Sequence, residues 1–173
     1  MRKTHKLTLT AIIAAITTIS SSVIYIPVGF AKIFPVQHFA NVLSGVLLGP
    51  SYAVAQAFIS STLRNMMGTG SPFAYPGSMI GAFLAGFLFI KLKKVSVAAL
   101  GEIVGTGLLG ALATYPIGVL FLGQEATLFG MVPAFMMSST AGALIGWALL
   151  KVLLKNKSIG DMIHANSTHN RGL

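Results

Sequence analysis

Gln37, His38 and Asn41 lie three and four residues apart, so on a helix they present two amides and an imidazole on one face. Gln56, Ser60 and Arg64 form an i, i+4, i+8 stripe, with Asn65 beside it and the hydroxyls of Ser61 and Thr62 nearby. A lone carboxylate, Glu102, is followed one turn later by Thr106. Side chains of these types suit hydrogen-bonded recognition of a small polar ligand. They do not assemble into a catalytic set. No phosphate-binding Gly-x-x-x-x-Gly-Lys-Ser/Thr loop, no His-Glu-x-x-His and no Gly-x-Ser-x-Gly occurs, which speaks against ATP hydrolysis by that loop and against an intramembrane hydrolase. With no cysteine, disulfides, thiolate zinc sites and thiol nucleophiles drop out. Four scattered histidines, two of them close to the C-terminus, do not make a metal site. The expectation is a protein that is not an enzyme and needs no cofactor of its own.

The elements that must position these groups are apolar and long. Mean hydropathy is +0.81, 54% of residues are hydrophobic and only 9% are charged, far below the quarter or so of a soluble domain. Nine of the basic residues gather at three points: Arg2, Lys3 and Lys6; Lys91, Lys93 and Lys94; Lys151, Lys155 and Lys157. Between them, residues 7–31, 33–63, 65–90, 103–124 and 126–150 contain no Asp, Glu, Lys or Arg, and each exceeds the roughly 20 residues that cross a bilayer core. The net charge of +9 flanks apolar runs instead of interleaving with aromatics, which points to the positive-inside bias and anionic lipid and away from nucleic acid. The basic, apolar and then serine-rich start resembles a signal peptide, but the apolar stretch continues to Val28 with no Ala-x-Ala site, so a retained first helix is expected.

The fold class expected is an all-α membrane protein, a bundle of six transmembrane helices over residues 1–155, followed by a polar, disordered tail over 156–173. The spans fall at about 7–26, 37–48, 51–67, 77–90, 97–120 and 129–150. Gly49-Pro50 splits the second apolar run into a helical hairpin, and Pro116 is a candidate kink in the fifth span. Six crossings with N- and C-termini cytoplasmic place all three basic clusters inside, and place Lys32, the 68–76 loop and Glu125 outside. No inverted internal repeat is evident. Four-residue spacings of small residues, Gly77/Gly81, Gly101/Gly105 and Ser138/Gly142/Gly146, read as packing faces within the bundle. Ala11 and Ala15 on the first helix could equally meet a partner protein.

At membrane depth each polar side chain must face protein or water, so each is a candidate for function. The Gln37, His38 and Asn41 group reads as binding in preference to interhelical bonding. Arg64 has two open readings, an anchor at the outer interface or a ligand contact, and as a contact it could also signal an anionic, phosphorylated ligand. Glu102 is expected near the inner face, paired with Lys93 or Lys94. Tyr25, Tyr75 and Tyr115 lie near the outer boundary, as belt residues or as rings that stack on a planar ligand, and Trp147 belongs to the inner belt.

Phe34-Pro-Val-Gln-His38 with Asn41, the Leu48-Gly49-Pro50 break, Leu63-Arg-Asn65, Gly68-Thr-Gly70, Phe73-Ala-Tyr-Pro-Gly-Ser-Met-Ile-Gly81 and Gly101-Glu-Ile-Val-Gly-Thr-Gly107 together resemble the ThiW family. These are thiazole-specific substrate-binding (S) components of energy-coupling factor (ECF) vitamin transporters. The resemblance covers roughly residues 5–155. It implies a subunit of the bacterial cytoplasmic membrane that captures hydroxyethylthiazole, a thiamine precursor, from outside. Its partners would be a transmembrane coupling subunit and two cytoplasmic ATPase subunits, with ATP used by those partners and not by this chain. It further implies that Gln37, His38, Asn41, Arg64, Asn65, Tyr75, Ser78 and Tyr115 contribute to substrate binding, and that Ala11 and Ala15 match the Ala-x-x-x-Ala face that contacts the coupling subunit. The 27–36 and 68–76 loops would close the pocket. A self-sufficient facilitator or proton-coupled carrier, dependent on Glu102, an S component for a different vitamin, and a structural subunit without ligand are the alternatives.

Overall fold

The structure, a computed structural model, describes residues 1–28, 31–121, 123, 129–157, 159–161 and 163. Helix α1 (Lys3–Val23) leads into a short antiparallel ribbon, β1 (Ile26–Val28) against β2 (Ala31–Ile33), with Ile26 opposite Ile33. This ribbon is the one departure from an all-helical chain among the described residues. Helix α2 (Pro35–Leu48) starts on a proline, whose missing N–H costs nothing at a helix N-terminus. Gly49 then adopts φ 94°, which side-chain-bearing residues avoid, and Pro50 opens α3 (Pro50–Met66). The hairpin expected at Gly49-Pro50 is therefore present.

Helix α4 (Ala74–Leu92) begins three residues earlier than expected, so Pro76 lies in its first turn and the preceding loop is shorter. Lys93 in the left-handed region ends it. A continuous rod, Val95–Leu120, follows. It comprises α5 (Val95–Val104), a π-helical segment Gly105–Gly110, α6 (Ala111–Pro116) and a second π-helical segment Ile117–Phe121. That second wide segment starts directly after Pro116, where the ring and the absent N–H disturb regular helical bonding. Helix α7 (Val132–Leu153) completes the bundle.

Three helices, Ala74–Leu92, Val95–Leu120 and Val132–Leu153, are long and apolar enough to cross a membrane. Helices α2 and α3, at 14 and 17 residues, fall short of the roughly 20 that a bilayer core requires. Large apolar side chains such as Ile16, Ile19, Leu120, Leu144, Ile145 and Val152 point outward, as they do when lipid and not water is the solvent.

The small-residue faces are where helices approach most closely. A Cβ on Gly105 would lie 2.7 Å from the Gly81 Cα, and one on Gly86 would lie 2.7 Å from the Pro50 Cα. Gly142 is pressed against α2: a Cβ there would run into the Pro35 carbonyl and stand 2.7 Å from the His38 Cβ. Gly142→Ala is accordingly expected to lower stability by about 1–3 kcal/mol, the usual cost of overpacking. Thermal unfolding in detergent checks this, with exposed Leu144→Ala as the control expected to change little.

Contacts between elements fix the two ends of the bundle. Lys6 Nζ sits 5.4 Å from the Tyr52 ring at the start of α3, Pro50 abuts α4 at Gly86, and Lys151 Nζ stacks 4.2 Å from the Trp147 ring. Val42, Val46, Phe89, Val95, Ala98, Ala143 and Leu150 form the core toward this end. The three basic clusters thus share one end of the bundle with the α2–α3 turn. The packed body continues past residue 155: Gly160 N donates to the Asn156 carbonyl at 2.9 Å, and Ile163, 1% exposed, joins the same core. Glu125 and the tail residues Asn166, Ser167, Thr168 and His169 lie outside the described residues.

Candidate functional site

At the end of the bundle opposite the basic clusters, five helix ends and a connecting loop surround a cavity of about 540 Å³. Its size falls within the roughly 300–1,000 Å³ typical of small-molecule sites. Ser21 and Tyr25 come from the end of α1 and the residues after it, and Phe34, Gln37 and His38 from the start of α2. Arg64 and residues 68–71 and 73 follow from the end of α3 and its loop. Ala74, Gly77 and Ser78 come from α4, Thr106 from the first π segment, and Met131, Ala134, Phe135 and Ser138 from the start of α7. Aromatic and apolar walls thus carry a few polar groups, the composition expected of a site for a small, partly polar molecule.

The rim and the floor use different chemistry. On the rim, Arg64 is only 2% exposed although it belongs to a loop-proximal helix end. Its Nη1 donates to the Gln37 Oε1, its Nη2 donates to the Thr69 carbonyl at 3.1 Å, and the guanidinium carbon lies 4.3 Å from the Phe34 ring centre. Gln37 passes the chain on, donating from Nε2 to the Ser61 Oγ at 3.0 Å. The loop is fixed from the same helix: Thr69 N and Gly70 N each donate to the Arg64 carbonyl at 2.9 Å. Arg64 is therefore built into the cavity wall, and the interfacial-anchor reading does not describe it.

Glu102 organises the floor. It is fully buried, and its Oε1 accepts from Asn41 Nδ2 at 3.0 Å and from Thr106 Oγ1 at 2.8 Å, while lying 2.8 Å from the His38 Nδ1. The expected pairing of Glu102 with Lys93 or Lys94 is corrected by this geometry. Gly81 has no side chain, and that gap is where Glu102 and Thr106 fit: a Cβ on Gly81 would collide with both. A carboxylate at the His38 Nδ1 holds the ring proton there, so the ring offers Nε2 to the cavity as an acceptor. Asn41 is fully buried beneath, with Nδ2 also donating to the Ser78 carbonyl at 3.1 Å. Thr106 Oγ1 further reaches the Gly77 carbonyl at 2.9 Å.

The structure thus gathers Gln37, His38, Arg64 and Ser78 around the cavity, with Asn41 directly behind it. Asn65, Tyr75 and Tyr115 do not line it. Asn65 Nδ2 donates to the carbonyls of Ser61 and Ser71 and braces the loop, and Tyr75 Oη bonds Thr62 Oγ1 at 3.2 Å with its ring against Phe58. Tyr115 is 37% exposed on the rod's outer face. The inner part of the α3 stripe is a separate network, in which Gln56 accepts from Ser44 and donates toward Thr17 and Ser60. Phe34 and Phe73 fall within the 27–36 and 68–76 segments expected to close the pocket, whereas sequence reasoning missed Ser21, Phe135 and Ser138 as lining residues. Only Ser138 carried a signal, as a polar member of a small-residue face; its Oγ accepts from Phe34 N at 2.9 Å and ties α7 to the ribbon. Among the described residues no His, Cys, Asp and Glu cluster able to hold a metal is present.

A helical body with bilayer-length apolar helices and a partly polar cavity at its end is that of a multi-pass membrane protein that receives a small molecule. No individual curated protein matches the chain. The chain belongs to the family of thiamine-precursor transporter proteins (ThiW), whose family model matches residues 7–156.

Proposed function

We propose that this chain is the substrate-capture (S) subunit of an ATP-driven ECF importer in the bacterial cytoplasmic membrane, and that it takes the thiamine precursor hydroxyethylthiazole from the outer side. The observation that carries the reading is the position of the cavity, at the end of the bundle away from all three basic clusters. By the positive-inside bias, that end faces outward and both termini face the cytoplasm, with the short α2 and α3 completing six crossings within a shielding bundle. The thiazole would lie against Phe34, Phe73 and Phe135, and its hydroxyl would donate to the His38 Nε2 on the floor. A coupling subunit and two ATPases would supply the energy. The chain itself uses no cofactor.

Two measurements test this together. The chain has no cysteine, so Met67→Cys beside the cavity and Lys94→Cys at the other end give single labels. Met67→Cys should react with an impermeant maleimide in intact cells, and Lys94→Cys only after permeabilisation. In liposomes the purified chain alone should bind hydroxyethylthiazole without concentrating it. Labelling of both positions from one side, or concentrative uptake with no ATPase present, would overturn the proposal.

A further inference from the structure

Among the described residues three buried side-chain atoms have no hydrogen-bond partner: Arg64 Nε and Ser21 Oγ, whose residues line the cavity, and Glu102 Oε2 behind it. Arg64 is 2% exposed and Ser21 is fully buried. An N–H donor left unpaired in such surroundings is unfavourable, and native interiors rarely keep one without a use. The charge of Arg64 makes the point sharper. Its partners, the Gln37 and Thr69 oxygens and the Phe34 ring, are all neutral. The Glu102 carboxylate is engaged on the floor, where its Oε1 is shared by His38, Asn41 and Thr106. Among the described residues no acidic side chain lines the cavity.

We propose that Arg64 and Ser21 form a seat for an oxyanion, and that the same cavity takes an anionic form of the thiazole, a phosphate monoester or a carboxylate, in preference to the free alcohol. The guanidinium is planar and already held through both terminal nitrogens, so its Nε–H is fixed in direction before the ligand arrives. The Ser21 hydroxyl adds a second donor from a different helix. The floor, by contrast, offers the His38 Nε2 as an acceptor, suited to a neutral donor and not to an anion. The cavity is therefore polarised, with its anion-binding pole on the rim formed by α1 and α3.

This inference rests on the thiazole reading, and the experiment separates the two. Binding to the detergent-purified full chain is measured by calorimetry for hydroxyethylthiazole, its phosphate monoester, 4-methylthiazole-5-acetate and inorganic phosphate. One of the two anionic thiazoles is expected to bind at least about tenfold more tightly than the alcohol, as a charge-assisted bond to a buried guanidinium requires, and which one it is distinguishes phosphate from carboxylate. Ser21→Ala, a small change on a helix end, is expected to weaken the anion by about three- to tenfold and so narrow its advantage over the alcohol. Arg64→Gln should abolish the preference. Equal or tighter binding of the alcohol overturns the oxyanion seat and leaves the thiazole reading standing. Inorganic phosphate competing as well as the ester keeps the seat and removes the thiazole. Binding of none of the four overturns both.

Discussion

Glu102→Ala is expected to produce the largest loss of stability of any single polar substitution in the bundle, together with loss of ligand binding. Three groups converge on one oxygen of this carboxylate, from α2 twice through His38 and Asn41 and from the rod through Thr106. Alanine would leave the His38 Nδ1–H and one of the two Asn41 N–H groups without an acceptor in a buried layer, at about 1–3 kcal/mol each, while Asn41 Nδ2 keeps the Ser78 carbonyl. Thr106 loses least, because it also bonds the Gly77 carbonyl. The His38 ring, no longer held at Nδ1, would lose the orientation that points Nε2 at the cavity. Glu102→Gln keeps an oxygen acceptor of the same reach and should retain most of the stability, at a cost of about 1–2 kcal/mol for the amide N–H groups that the cramped space beside Gly81 cannot satisfy. Unfolding in detergent and ligand titration of the two variants check both statements. A carboxylate acting in proton coupling would give a different pattern, with Glu102→Gln binding normally but losing coupled uptake.

The hairpin centred on Gly49-Pro50 explains why much of the rim was legible in the sequence. In an antiparallel helical hairpin, residues equidistant from the turn become neighbours. Ser44 and Gln56 are equidistant from Pro50 and are hydrogen-bonded; Gln37 and Arg64 are nearly so and meet at the open end. The break and both polar groups were visible in the sequence as separate features, and the folded hairpin is what pairs them. Glu102 was misplaced for the opposite reason, because its partners come from a helix more than sixty positions away in the chain. Distance from the nearest basic cluster says where α5 begins, but not that His38 reaches across from α2. The glycine face was visible as a face. What remained hidden was its use, since at Gly81 the missing Cβ makes room for a carboxylate and a hydroxyl as well as for a neighbouring helix. Tyr115 and Tyr75 illustrate the same limit from the other side. An aromatic near the outer boundary suits a belt, a brace or a binding site equally, and only the rotation of the helix decides among them.

In the importer proposed above, Ala11→Trp and Ala15→Trp are expected to bring ATP-driven uptake to background while leaving ligand affinity within about twofold of the parent, because the substituted positions and the cavity lie at different levels of α1. Helix α1 has two faces. Thr10, Ala14, Thr17, Thr18 and Ser21 are buried against the bundle, and Gln56 on α3 donates toward Thr17 Oγ1. Ala11 and Ala15 are exposed, flanked by the exposed Ile12, Ile16 and Ile19. A tryptophan at either alanine therefore meets no part of its own bundle, and folding should be unaffected. A shallow small-residue face closes well only against a partner helix that can approach to backbone distance, which lipid chains do not require. A bulky ring would hold such a partner off along the whole contact. Uptake into proteoliposomes that contain the coupling subunit and both ATPases is the measurement that counts, read beside calorimetry on the isolated chain. Normal uptake by both variants would mean that this face meets only lipid, and that any coupling contact lies elsewhere on the bundle.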